Sequence, residues 1–189
     1  MSSPIVLDLE TKYSFQDVNH DLKKLGVSVV GTYSYADERY QCFREDDFPR
    51  LFQLLESASL IVGFNIKKFD FLVLSPYYLG NINKLPTLDL LESIDETLGF
   101  RVSLDDLARE TLGERKNGHG FLAIEYFRSG EWDKLLEYCL HDVRLTQRLY
   151  EYGRDNGQVF FKSPYGRRAI KVAWNQKIDK NDIPLTLPF

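Results

Sequence analysis

The chain has 189 residues, 43% of them hydrophobic and 14% aromatic, enough to bury one sizeable core and to argue for one α/β domain with a short appended tail. A formal net charge of −4 excludes a basic body that coats nucleic acid by bulk attraction, but not an enzyme whose acids hold cations. Two widely separated cysteines, Cys42 and Cys139, exclude a disulfide framework; with no leader-like run after Met1 and no apolar run near the roughly 20 residues that span a bilayer, a soluble cytoplasmic protein is expected.

Residues 4–10 are apolar and β-branched up to two acids, the pattern of a strand buried at the centre of a sheet. Residues 27–35 and 38–43 are β-rich runs broken at Ala36-Asp37, so the first three strands are expected to form an antiparallel meander. From Asp46, Phe48, Leu51, Phe52, Leu54 and Leu55 recur at helical spacing, and Leu60-Ile61-Val62 up to Gly63 reads as a strand. Residues 67–78 are expected to form a second helix, 80–85 a loop and 86–89 a very short strand. Residues 90–98, 104–112, 121–128 and 131–152 carry helical periodicity, with Gly99, Gly113, Gly118, Gly120, Gly130 and Gly153 as stops. Strands first and helices around them imply an α/β sandwich rather than a bundle.

No repeat, low-complexity tract or linker precedes Gly153, so one domain is expected over residues 1–153, with 154–189 as a basic, aromatic tail. Within the tail, residues 158–177 read as a hairpin turned at Ser163-Pro164-Tyr165-Gly166. It carries Lys162, Arg167, Arg168, Lys171 and Lys177 without an acid, interleaved with Phe160, Phe161, Tyr165 and Trp174. Two readings stand: a single-strand binder that stacks bases on its aromatics, or a hairpin that packs its aromatics and leaves its cations solvated.

Three short motifs carry chemistry. Asp8 and Glu10 lie two apart on a strand, so both carboxylates leave the same face and one metal ion could touch both. An apolar strand has no structural use for paired acids unless they are paired, protonated or metal-bound, although a solvated strand end would also tolerate them. In Gly63-Phe64-Asn65-Ile66-Lys67-Lys68-Phe69-Asp70 the chain passes from strand to helix, with Asn65 placed as a cap. Asp70 in the early turns either faces the strand's acids or simply complements the helix dipole. Tyr138 and Asp142, four apart on the last long helix, share one face, while His141 points elsewhere. Asp89 reads as a helix cap that could come near the site, and His119 as a loop residue.

A strand DxE, an NxxxFD segment and a late helical YxxxD, in that order, resemble the DEDD 3′-to-5′ exonucleases, the group that includes DNA-polymerase proofreading domains. The tyrosine at Tyr138 resembles the subgroup with tyrosine in its third motif, and the resemblance covers residues 4–152. It implies a ribonuclease-H-like mixed sheet, with later strands parallel to the first and helices on both faces. It implies that Asp8, Glu10, Asp70 and Asp142 hold two divalent cations, Mg²⁺ or Mn²⁺, and that Tyr138 orients the attacking water. Hard carboxylate oxygens suit those ions, and two of them about 3.5–4 Å apart activate water and relieve leaving-group charge. Leu9, Thr11, Phe64 and Asn65 are then expected to contact the terminal nucleotide. The implied substrate is DNA or RNA with a free 3′ end, single-stranded or frayed, released as nucleoside monophosphates, with a helicase or polymerase on another chain as a possible partner and no membrane. Two alternatives stand beside it: a ribonuclease-H-type endonuclease on the same fold, and a non-catalytic recruitment module, against which the retention of every acid argues.

Overall fold

The structure is a computed structural model that describes residues 2–116, 118 and 120–175. The expectations placed on His119 and Lys177 lie outside the described residues. Strands β1 (Pro4–Thr11), β2 (Val27–Ser34), β3 (Arg39–Phe43), β4 (Leu60–Gly63) and β5 (Thr87–Asp89) form one sheet in the order β3-β2-β1-β4-β5. β1 pairs antiparallel with β2, and β2 with β3, whereas β4 runs parallel to β1 and β5 parallel to β4. The fold is therefore the mixed, ribonuclease-H-like sheet with helices on both faces.

Alternation along β1 sorts its side chains between two layers. Ile5, Leu7 and Leu9 pack on one face with Phe48, Leu51 and Leu55 of α1 (Phe48–Ser57) and with Phe71 and Leu74 of α2 (Asp70–Leu74). Val6 faces the other layer, built by α3 (Leu90–Leu98), α4 (Leu104–Leu112) and α6 (Trp132–Asn156). Helix α5 (Phe121–Ser129) contributes Ala123 to a smaller cluster with Val29, Leu135, Tyr138 and Cys139. Among the described residues no helix is long and apolar enough to cross a membrane.

The second helix is shorter than its periodicity suggests. Residues 65–69 form a turn, not a helical start, with Asn65 at φ 66° and the Phe69 N–H donating to the Asn65 carbonyl at 3.0 Å. The α-helical ladder then stops because Pro76 has no N–H to offer the Leu72 carbonyl. The Ser75 hydroxyl donates to that carbonyl at 2.8 Å instead, and Ser75–Tyr77 continues as a 3₁₀ turn.

Gly153 is not a stop either. Helix α6 continues to Asn156 and ends at Gly157, which takes the left-handed conformation. A Cβ on Gly153 would lie 2.3 Å from the ring of Trp174, whose Nε1 donates to the Ser93 hydroxyl at 3.0 Å. The missing side chain thus seats the tryptophan that pins the chain after the hairpin β6 (Gln158–Ser163) and β7 (Gly166–Lys171). Gly153→Ala gains about 1 kcal/mol of helix propensity but overpacks a buried ring at a cost of about 1–3 kcal/mol. The expected result is a net loss of stability in urea unfolding together with a shift in tryptophan emission.

Candidate active site

β1 is paired to β4 only as far as Val6, so its second half runs beyond the point where β4 leaves the sheet at Gly63. The carboxyl ends of the parallel strands β1, β4 and β5 open there into a crevice, the place where α/β sheets usually bind ligands. Asp8 and Glu10 stand on this free half, on the α6 side of the sheet. A bulge follows at once: Glu10 is opposite Val29 and Thr11 opposite Val27, the kind of irregularity that re-aims side chains beside a site.

Helix α6 reaches them because β2 is bare at one residue. Asp8 sits opposite Gly31, and a Cβ on Gly31 would fall 2.8 Å from Cys139 Sγ and 2.9 Å from Val143 Cγ2. The Cys139 thiol donates to the Asp8 carbonyl at 3.8 Å. One turn later Asp142 completes the group: Asp8, Glu10 and Asp142 each offer an oxygen within 4.8 Å of the others, a cluster able to hold a metal ion. Asp70, buried at the start of α2, approaches from the other side and repels Asp8. His141 brings Nδ1 to 3.8 Å from Asp142 Oδ1, beyond hydrogen-bond reach.

Crowded acids out of water resist ionisation. Burial first, and then the Asp142 carboxylate, push the Asp8 carboxyl up to about 7, with Lys116 opposing. Glu10 is raised well above its ordinary range by burial and by Asp8 and Asp142, and Asp70 by burial and by Asp8. The balancing cation is Lys116, whose Nζ lies 2.6 Å from Asp142 Oδ2. Burial works against its charge, but Asp142 and Asp8 together keep that ammonium protonated. Nothing in the sequence marked this lysine, because it sits in a glycine-rich loop without periodicity. Its backbone N–H donates to Asp105 Oδ1 at 2.9 Å, which anchors the loop to α4.

The residues fit a divalent metal site. The donor set is all carboxylate, and Asp142 Oδ1 and the Tyr138 hydroxyl are buried without a hydrogen-bond partner among the described residues. The acids also make stability depend on pH. The folded protein keeps the Asp8 proton up to about pH 7 and the unfolded chain loses it near pH 4. Between those values the folded state binds more protons, so stability falls as pH rises. Glu10 and Asp70 act in the same direction, while the raised Lys116 titrates outside this window. In EDTA the unfolding midpoint is expected to drop between about pH 5 and pH 8, and Mn²⁺ should remove most of that drop by taking the place of the protons. A midpoint flat in EDTA across the window would contradict the buried cluster.

All nine residues singled out in the motifs, Asp8, Leu9, Glu10, Thr11, Phe64, Asn65, Asp70, Tyr138 and Asp142, line one cavity of about 810 Å³. Leu9 is itself 4% exposed and points into the α1–α2 layer, opposite to Asp8 and Glu10, so it forms a wall rather than a projecting edge. The Thr11 hydroxyl is used locally, donating to the Tyr13 carbonyl at 3.0 Å. Asn65 does not cap α2, whose N-cap is Phe69. The Asn65 Oδ1 instead accepts from Arg101 at 2.8 Å, and its N–H donates to Asp89 Oδ1 at 2.8 Å. Asp89 is the buried hub of this corner: it caps α3 through the N–H groups of Leu91 and Glu92 and also accepts from Lys67 N–H at 3.1 Å. Half-exposed Tyr13 and Phe15, with Phe121, add aromatic surface at the mouth. Tyr13 and Phe15 lie in an irregular segment and Phe121 opens α5, and none of the three belongs to a motif.

Residues 5–153 match the RNase_H_2 profile, described as RNase_H superfamily. Among solved structures the chain is similar to the family B DNA polymerase from the hyperthermophilic archaeon Pyrobaculum calidifontis, with TM-score 0.59 and 19% identity over 79% of this chain and 24% of that one. It is also similar to Trypanosoma brucei RNase D, with TM-score 0.57 and 22% identity over 80% of this chain and 57% of that one. The chain thus spans less than two thirds of either, and at these identities the likeness is one of fold. No curated protein sequence matches it.

Proposed function

The chain belongs to the RNase_H superfamily, and from that premise we propose that it is a metal-dependent nuclease, specifically a 3′-to-5′ exonuclease of the DEDD type with a tyrosine in its third motif. The observation that carries the reading is the cluster of Asp8, Glu10 and Asp142 oxygens within 4.8 Å of one another in the lining of the cavity. Asp8, Glu10 and Asp142 would hold the divalent ions, Mg²⁺ or Mn²⁺, with Asp70 beside them. The ions supply a nucleophile at neutral pH and relief of charge on phosphate oxygens.

The protein's own groups do the rest. Burial, then Asp142, hold the Tyr138 phenol well above its ordinary pKa, so it stays protonated and donates rather than acting as a base. Its hydroxyl, without a hydrogen-bond partner among the described residues, would orient a water beside Asp142. Lys116 supplies a positive charge next to the acids, where a phosphate must be brought against negative side chains. Phe64 and Asn65 border the cavity from the β4 end and would contact the terminal nucleotide, with the Arg101 guanidinium fixing the Asn65 side chain.

The test is digestion of single-stranded DNA and RNA, labelled at either end, with Mg²⁺, Mn²⁺ or EDTA. Metal-dependent release of mononucleotides from the 3′ end is the expected result. Internal fragments would instead mean an endonuclease, and full-length substrate in both metals would sink the catalytic reading.

A further inference from the structure

The hairpin β6–β7 reverses the sign of the molecule locally. Between Gly157 and Asn175 lie Lys162, Arg167, Arg168 and Lys171 and no acid, in a chain of net charge −4. It is held firmly: the Phe160 N–H donates to the Thr111 hydroxyl at 2.9 Å, and that hydroxyl donates back to the Phe160 carbonyl at 3.1 Å. Arg167 is committed to this packing, with its guanidinium 3.6 Å over the Phe160 ring and Nε donating to the Glu110 carbonyl at 2.7 Å. Arg168 is exposed and makes no ion pair among the described residues.

The placement of Arg168 is specific. It lies directly across from Phe161 in the hairpin register, so the two side chains share a face. The ring of Phe161 meets the edge of Phe100 at 5.8 Å. Phe100 is 50% exposed and immediately precedes Arg101, which lines the cavity and holds Asn65. A continuous line therefore leaves the cavity: Arg101, Phe100, Phe161, Arg168. Asp105 and Asp106 of α4 are already occupied, since both pair with Arg109 and accept the backbone N–H groups of Lys116 and Lys162.

We propose that this line is the path of the single nucleic-acid strand upstream of the terminal nucleotide, with Phe100 as a base-stacking platform and Arg168 facing a phosphate; it rests on the nuclease reading above. An exposed aromatic between two guanidinium groups matches what single strands offer, a π-face and a backbone charge. Lys171 sits three residues further along β7 and so projects from the opposite face of the hairpin, which makes it the control.

The experiment measures anisotropy of a labelled single-stranded oligonucleotide in EDTA, and turnover of that oligonucleotide and of a dinucleotide with Mn²⁺. Phe100→Ala and Arg168→Ala should each weaken oligonucleotide binding about tenfold and reduce the preference for oligonucleotide over dinucleotide by a similar factor. Arg168→Ala should also flatten the dependence of log Kd on log salt by about 0.7, the value of one lost single-strand phosphate contact. Lys171→Ala should stay near wild type. Since Phe100→Ala removes a packing contact, its unfolding midpoint is measured alongside; Arg168→Ala carries no such cost. Unchanged binding in Arg168→Ala, or an equal loss in Lys171→Ala, would overturn the path in favour of none or of bulk attraction. Absence of all turnover would fail the nuclease reading, and the anisotropy would still decide the path.

Discussion

Asp8→Asn should abolish hydrolysis and, in EDTA at about pH 8, make the protein more stable than wild type. The two effects come from one cause. Burial and the neighbouring Asp142 push the Asp8 carboxyl up to about 7, so keeping it ionised above that pH costs folding free energy, up to about 4 kcal/mol by the size of the shift. The amide has the same shape and no charge, which removes most of that cost. It also removes one of the three carboxylates of the cluster proposed to hold the metal. A loss of at least about a thousandfold in turnover is expected, about 4 kcal/mol of barrier. Thermal unfolding in EDTA and Mn²⁺ titration calorimetry check both halves: the variant should melt higher without metal and bind Mn²⁺ more weakly. A variant that loses activity and also melts lower in EDTA would mean that Asp8 is a structural acid, held by Lys116 rather than strained by Asp142.

Gly31→Ala, which changes no group of the carboxylate cluster, is also expected to be damaging. The added methyl group would come within 3 Å of Cys139 Sγ and Val143 Cγ2, both in fully buried side chains with no room to swing. The helix must back away from the sheet, and the cost of such overpacking is about 1–3 kcal/mol. Because Asp142 rides on that helix and Asp8 on the strand opposite Gly31, the same displacement opens the carboxylate cluster. An error of about 1 Å in such a site is worth about a hundredfold in rate. Expected are a lower midpoint in urea, weaker Mn²⁺ binding and about a hundredfold lower turnover. Normal Mn²⁺ affinity in a destabilised variant would show that the cluster does not depend on this contact.

What the sequence determined by itself is whatever repeats over a few residues. Strand alternation puts Asp8 and Glu10 on one face, and the helical turn puts Tyr138 and Asp142 on another, irrespective of what lies around them. The meander, the four later helices and the αL stops at Gly99, Gly113 and Gly130 follow from equally local rules. The order of the three motifs carried the family reading, and the match over residues 5–153 agrees with it at the level of the superfamily.

The tertiary structure decided everything that needs a partner distant in the chain. Asn65 is drawn from a capping role into a left-handed turn because Asp89, 24 residues on, takes its N–H and Arg101 its side chain. Gly153 reads as a helix stop until Trp174 is seen filling its space. Lys116 becomes the counter-ion of the acids only because its loop is tied to Asp105 and so folded back over Asp142. Periodicity reports which face of an element is apolar; it holds no record of which buried atom will need a hydrogen bond, a charge or a gap from an element folded against it.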